Sequence, residues 1–187
     1  MIYRLVITLT VIVLIAATAA QAQSDGARST EVKSKPASAR NSTENTGTSE
    51  NKFVPVTVYD PKRDAEADVK EAIAEAARTG KRVLVEVGGE WCIWCHRLDD
   101  FFTANPQLIK TRDANFVLVK VNFSEENENK TLLDTYPKIV GYPHIFVLGS
   151  DGALLKSQDT GDLEDGNKSY SLDKLAAFFK GWSPVKE

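Results

Sequence analysis

The sequence predicts an α/β domain with a central mixed sheet and helices on both faces. Three observations carry that prediction. Arg82–Val87 and Phe116–Asn122 are short runs with apolar residues at successive positions, as strands buried on both faces are. Helix-period segments alternate with these runs. A third strand-type run, His144–Leu148, is followed by Ser150-Asp151-Gly152, a turn that sends the chain back as an antiparallel hairpin.

The elements follow in chain order. Met1–Ala22 carries Arg4, an apolar run from Leu5 to Ala20 and an Ala20-Gln21-Ala22 end. That is the layout of a secretory signal peptide over residues 1–22. An uncleaved anchor is the alternative, because the run approaches the ~17 residues that just span a bilayer. Either reading puts the rest of the chain outside the cytoplasm, periplasmic or secreted, where disulfides persist. Gln23–Asn51 has Val32 as its only large apolar residue. It cannot offset the entropy of ordering, so residues 23–52 are expected to form a disordered linker and 53–187 the folded domain.

Within the domain, Asp60-Pro61 is expected to cap and open a helix. Val69, Ile73, Ala76 and Ala77 share its inner face, and Gly80 ends it. After the first strand, Gly88-Gly89 leads into Trp91-Cys92-Ile93-Trp94-Cys95-His96. A helix is expected from about Cys95, with Leu98, Phe101 and Phe102 inward and a break or kink at Asn105-Pro106. The second strand runs through acidic, Asn-rich residues into a short helix around Thr131–Tyr136. Ala153–Lys156 returns along His144–Leu148, and Gly161–Tyr170 is a polar loop. Ser171 caps a last helix with Leu172, Leu175, Ala176 and Phe179 in one stripe.

Composition narrows the function. Lys and Arg number 23 against 26 Asp and Glu, a net charge of −3, so no basic excess points to nucleic acid. With two cysteines and two histidines, the chain is neither a disulfide-dense scaffold nor the sole source of an all-cysteine cluster or three-histidine zinc site.

The chemistry concentrates at Cys92 and Cys95. Two intervening residues let the sulfurs meet across one helical turn. Cys92 falls at the helix N-terminus, where unpaired N–H groups and the helix dipole stabilise a thiolate. Cys92 is therefore expected to attack a substrate disulfide and Cys95, one turn further in, to resolve the mixed disulfide. Such a redox-active pair needs no cofactor.

At these residues the chain resembles the thioredoxin-like superfamily, over most of Val83–Trp182. Val83-Leu-Val-Glu-Val87 followed by Glu90-Trp91-Cys92 resembles the family's strand and Trp-Cys entrance. Gly141-Tyr142-Pro143 resembles its cis-proline loop, and exported bacterial members with Trp-Cys-x-Trp-Cys are the most similar in character. The resemblance implies a thioredoxin-like fold and protein-disulfide oxidoreductase activity. It implies a cis Tyr142–Pro143 bond, with Pro143 against the cysteine pair where substrate backbone docks. It also implies that Glu86 is a buried carboxylate taking the proton of the resolving cysteine. Burial favours the neutral form of a carboxyl group, which suits that exchange.

Lys120, among valines in the second strand, is expected to pair with Glu86. Trp91, Tyr142 and His144 are expected to frame the substrate. His96 modulates the thiolate if its ring turns towards the sulfurs; on the helix surface it points away. The pair Ile93-Trp94, the bulky Tyr142 and His144 in place of a threonine depart from the family pattern.

Reduction or isomerisation of disulfides is expected over oxidation, because no histidine lies between the cysteines. The partners are then thiol or disulfide proteins outside the cytoplasm and a membrane electron donor. Three rival readings use the same atoms. Cys92-x-x-Cys95-His96 matches c-type haem attachment, with His144 as the side-chain candidate for a distal ligand. Cys92, Cys95 and His144 suit copper or zinc. A non-catalytic interaction module is the third.

Overall fold

The computed structural model describes residues 52–185. The expected signal peptide (1–22) and, save for Lys52, the linker (23–52) lie outside the described residues. The elements are α1 (Ala65–Thr79), β1 (Arg82–Gly88), α2 (Ile93–Ala104), α3 (Pro106–Asn115), β2 (Phe116–Asn122), α4 (Lys130–Leu133), β3 (His144–Leu148), β4 (Leu154–Asp159) and α5 (Leu172–Trp182). A short 3₁₀ helix, Thr160–Leu163, follows β4.

The four strands form one sheet in the order β2-β1-β3-β4. β1 runs parallel to β2 and antiparallel to β3, and β3 and β4 form the expected hairpin. The sheet is mixed and covered on both faces, as its apolar runs require. Val83, Val85 and Val87 of β1 face α1, meeting Val69, Ala72 and Ala76. Leu84 looks the other way, with Leu118 and Ile145, onto Leu98 and Phe102 of α2, Leu108 of α3, and Leu175 and Phe179 of α5. Glu86 and Lys120 lie opposite each other in the β1–β2 register, on the same face as Leu84 and Leu118. The outer edge of β2 is not left bare. Val56 bridges to Val119 in parallel, and the Lys120 N–H donates to the Val56 carbonyl at 2.9 Å.

Several boundaries differ from expectation. α1 is capped by Asp64, whose carboxylate accepts the Ala67 N–H, while Asp60-Pro61 forms a turn in which Asp60 takes the Lys62 N–H. The buried stripe Ala65, Val69, Ala72, Ala76 has the helical period, and Ala77 falls outside it onto the surface. α2 starts two residues early because Cys92 is its cap. Asn105-Pro106 does more than break that helix: Pro106 opens α3, where a first-turn residue needs no N–H partner. α4 is a single turn, and β4 runs on to Asp159. In α5 the inward residues are Leu175, Phe178 and Phe179, with Leu172 and Ala176 exposed. Among the described residues, no helix is long and apolar enough to cross a membrane.

Because Asp64 rather than Asp60 carries the cap, Asp64→Ala is expected to cost about 1 kcal/mol in urea unfolding. Asp60→Ala is expected to cost clearly less.

Candidate active site

β1 ends where α2 begins, and the reactive pair occupies that junction. Cys92 is the N-cap of α2, with extended backbone (φ −92°, ψ 104°), and its sulfur accepts the Cys95 N–H at 3.1 Å. Cys92 and Cys95 are joined as a disulfide, their Cα atoms 5.2 Å apart. Cys95 is wholly buried, whereas 3% of Cys92 reaches solvent. That ordering makes Cys92 the sulfur a partner meets first. Its N–H···S bond is the contact that favours the thiolate once the pair is reduced.

The approach to the disulfide explains Gly88. A Cβ at that position would collide with Cys95 Sγ and would sit 3.0 Å from the Tyr59 hydroxyl. The last residue of β1 must therefore lack a side chain for the dithiol to pack onto the strand.

Beneath the pair lies a buried charge network. Glu86 is fully buried and Lys120 is 5% exposed, and Lys120 Nζ lies 3.3 Å from Glu86 Oε1. The sequence-derived pairing of these two is thus present in space. Two further members were not anticipated. The Tyr59 hydroxyl donates to Glu86 Oε1 at 2.6 Å, and its ring lies under Lys120 Nζ, 4.5 Å from the centroid. Asp99, half-exposed on α2, accepts from Lys120 Nζ through both oxygens at 2.5 and 2.7 Å. Burial pulls the Lys120 ammonium down, but the carboxylates of Glu86 and Asp99 outweigh it and hold the group above its usual range. Burial, and then the charge of Glu86, push the Tyr59 phenol well above its ordinary value, so it stays a donor. Asp99 carried a sequence signal: it lies one turn beyond Cys95 on the helix face that meets the sheet. Tyr59, far from the motif in sequence, carried none.

The surface beside the disulfide is aromatic. The Tyr142–Pro143 peptide bond is cis. Tyr142 packs against the cluster of Tyr59, Cys92 and Cys95 and stacks on Phe123, centroids 5.0 Å apart. Trp91 meets Tyr142 edge-on at 5.5 Å and donates its indole N–H to the Phe123 carbonyl at 2.6 Å, while 57% of it stays exposed. Trp91, Phe123 and Glu125, Glu126 and Glu128 line an open groove of about 390 Å³.

One expected site residue, His144, is placed differently, and His96 takes the outward of its two expected orientations. His144 is buried: its Nε2 is hydrogen-bonded to Ser157 Oγ at 2.8 Å and its ring packs on Phe146, away from the groove. His96 stays on the surface of α2, its Nε2 2.8 Å from the Glu90 carbonyl oxygen. Trp94 turns inward onto Tyr170 and carries Arg97 over its ring at 4.4 Å. Among the described residues, no group of three His, Cys, Asp or Glu side chains is arranged to hold a metal ion.

A disulfide spanning the first turn of a helix, set over a buried carboxylate and beside a cis-proline loop, defines a dithiol–disulfide exchange site. The family described as Thioredoxin-like matches residues 64–150. The crystal structure of a disulphide isomerase from Xylella fastidiosa superposes with a TM-score of 0.58 and 28% identity, covering 69% of this chain and 98% of that one. Thiol:disulfide interchange protein DsbD from Pseudomonas fluorescens is 25% identical over 122 residues, 65% of this chain. DsbD from Citrobacter koseri is 25% identical over 100 residues, 54% of this chain. The matched regions are 19% and 16% of those relatives' lengths, so the chain resembles one part of much longer proteins. Over residues 64–150 the chain thus has the fold of a thioredoxin-like domain, with a Cys-x-x-Cys pair placed for thiol–disulfide exchange.

Two measurements check this geometry. Gly88→Ala is expected to cost the oxidised protein about 1–3 kcal/mol in urea unfolding, because Cys95 must shift. Burial holds the His144 imidazole below its ordinary range, against the raising effect of Asp159. Below about pH 6.5 the unfolded chain therefore binds the extra proton, and stability falls as pH falls. His144→Gln is expected to flatten that slope between pH 7.5 and 5.5, and an unchanged slope would contradict the assignment.

Proposed function

We propose that this chain reduces or isomerises disulfides of proteins outside the cytoplasm. The observation that carries the proposal is the Cys92–Cys95 disulfide at the cap of α2, above the buried Glu86. The Cys92 thiolate attacks one sulfur of a substrate disulfide, and the other substrate sulfur leaves with the electron pair. Cys95 then gives up its proton to Glu86, and its thiolate attacks Cys92 Sγ. The second substrate sulfur leaves and is protonated. Two electrons have passed to the substrate and the Cys92–Cys95 disulfide is formed. The pair itself carries the electrons, so no cofactor is required.

Trp91, Tyr142 and Pro143 form the surface that receives the substrate backbone. His144 and His96 act on it only indirectly, through the packing of β3 and the surface of α2. The N-terminal export signal and the relatives' printed roles in disulfide interchange and isomerisation support a periplasmic location. There the compartment is oxidising, and a reductase must be recharged by a dithiol donor at the membrane.

Equilibration of the full chain with glutathione and dithiothreitol tests the direction. A reduction potential near or below about −230 mV is the expected result, and one near about −120 mV would mark an oxidant instead. Cys92→Ser is expected to abolish exchange, and Cys95→Ser to accumulate the mixed disulfide. Glu86→Gln is expected to slow resolution about a hundredfold near pH 7, as loss of a general base does. Unchanged single-turnover kinetics would remove Glu86 from the mechanism.

A further inference from the structure

Glu86 has two oxygens in unlike surroundings. Oε1 receives the Tyr59 hydroxyl at 2.6 Å and lies 3.3 Å from Lys120 Nζ. Oε2 is buried and has no hydrogen-bond partner. A buried carboxylate oxygen without a donor is costly, and native structures keep few of them. Lys120 alone would not fix the carboxylate, because its ammonium is shared with both oxygens of Asp99 at shorter range. The short, neutral bond from Tyr59 is the directional contact. The phenol is itself held from two sides: its ring lies under the Lys120 ammonium, and it packs in one cluster with Cys92 and Cys95. Its hydroxyl and Cys95 Sγ crowd the same point, the place a Gly88 Cβ would fill.

We propose that Tyr59 is a positioning residue for resolution: it pins Glu86 by Oε1 so that Oε2 stays open to take the Cys95 proton. The inference rests on the dithiol mechanism above and adds to it a residue outside the Cys-x-x-Cys and cis-proline segments. In the step concerned the Cys95 S–H bond breaks and the proton goes to Glu86 Oε2. The new thiolate bonds to Cys92 Sγ, and the mixed disulfide breaks with its electron pair on the substrate sulfur. Tyr59 from the segment before α1 and Lys120 from β2 touch Glu86; Asp99 of α2 reaches it through Lys120, Cys95 of α2 packs with Tyr59, and Tyr170 from the segment before α5 feels its charge. Tyr59 is the only one of them that bonds Glu86 through an uncharged hydroxyl. Its burial keeps that hydroxyl protonated throughout the working range.

The test uses the reduced full chain and an aromatic disulfide that releases one coloured thiolate on Cys92 attack and a second on Cys95 resolution. Tyr59→Phe keeps the ring and its contact with Lys120 and removes only the hydroxyl. The expected result is an unchanged first release and a second release slowed about tenfold or more near pH 7, the effect of losing a hydrogen bond to a charged group. The deficit is expected to narrow as pH rises and solvent takes the Cys95 proton. Tyr59→Phe combined with Glu86→Gln is expected to be no slower than Glu86→Gln alone, because both act through one carboxylate. A Tyr59→Phe second phase whose rate and pH profile match the wild type overturns the inference, as does a double variant whose losses multiply. A wild-type chain that releases only one thiolate overturns the dithiol mechanism itself, and the inference with it.

Discussion

A carboxylate and an ammonium lie side by side on the dry face of the sheet, and the architecture of the site follows from that burial. Removing either charge from water costs several kcal/mol, and their mutual attraction offsets this only when other donors and acceptors complete the shell. Here the shell is drawn from four separate parts of the chain. Glu86 comes from β1, Lys120 from the facing register position of β2, Asp99 from α2 and Tyr59 from the segment before α1. The β1–β2 register, the docking of α2 and the course of the N-terminal segment therefore all have to agree. A slip of one residue in either strand would turn one charge into the apolar layer against α1.

The same geometry places the sulfurs. β1 carries Glu86 and, two residues on, Gly88, so both point to the face on which α2 lies. The absent side chain at Gly88 lets Cys95 sit directly on the strand. Cys92, as cap, supplies the acceptor that the first turn of α2 needs. One atom thus ends the helix's unsatisfied N–H row and begins the chemistry. Stability and reactivity are joined here, since the hydrogen bond that caps the helix is the one that stabilises the attacking form of the sulfur.

Most of the fold was legible because its strands are local. β2 and β3 were read with their observed limits and β1 to within one residue, since apolar runs of that length bounded by turn residues have few other solutions. Helix starts were less legible. Asp60 and Asp64 are equally good caps by type, and only the period of the buried stripe, which runs from Ala65, separates them. α3 was hidden because proline both ends one helix and suits the first turn of another. At the site, the Cys92–Cys95 pair and the Glu86–Lys120 couple could be read from spacing and from charges misplaced in apolar runs. Tyr59 could not, because its role depends on a long-range hydrogen bond that no local pattern encodes. His144 follows Pro143 in sequence but alternates into the sheet, so adjacency to the loop did not bring its ring to the surface.

The segment from Val56 to Tyr59 has a consequence for where this domain can be cut. It belongs to no named helix or strand and precedes the first regular helix. Yet Val56 covers the outer edge of β2, and Tyr59 reaches the floor of the redox site. The functional unit therefore begins before α1. A proteolytic nick or a fusion boundary placed at the visible start of α1 would uncover a strand edge and remove a proton-handling contact in one stroke, leaving every residue of the Cys-x-x-Cys motif intact.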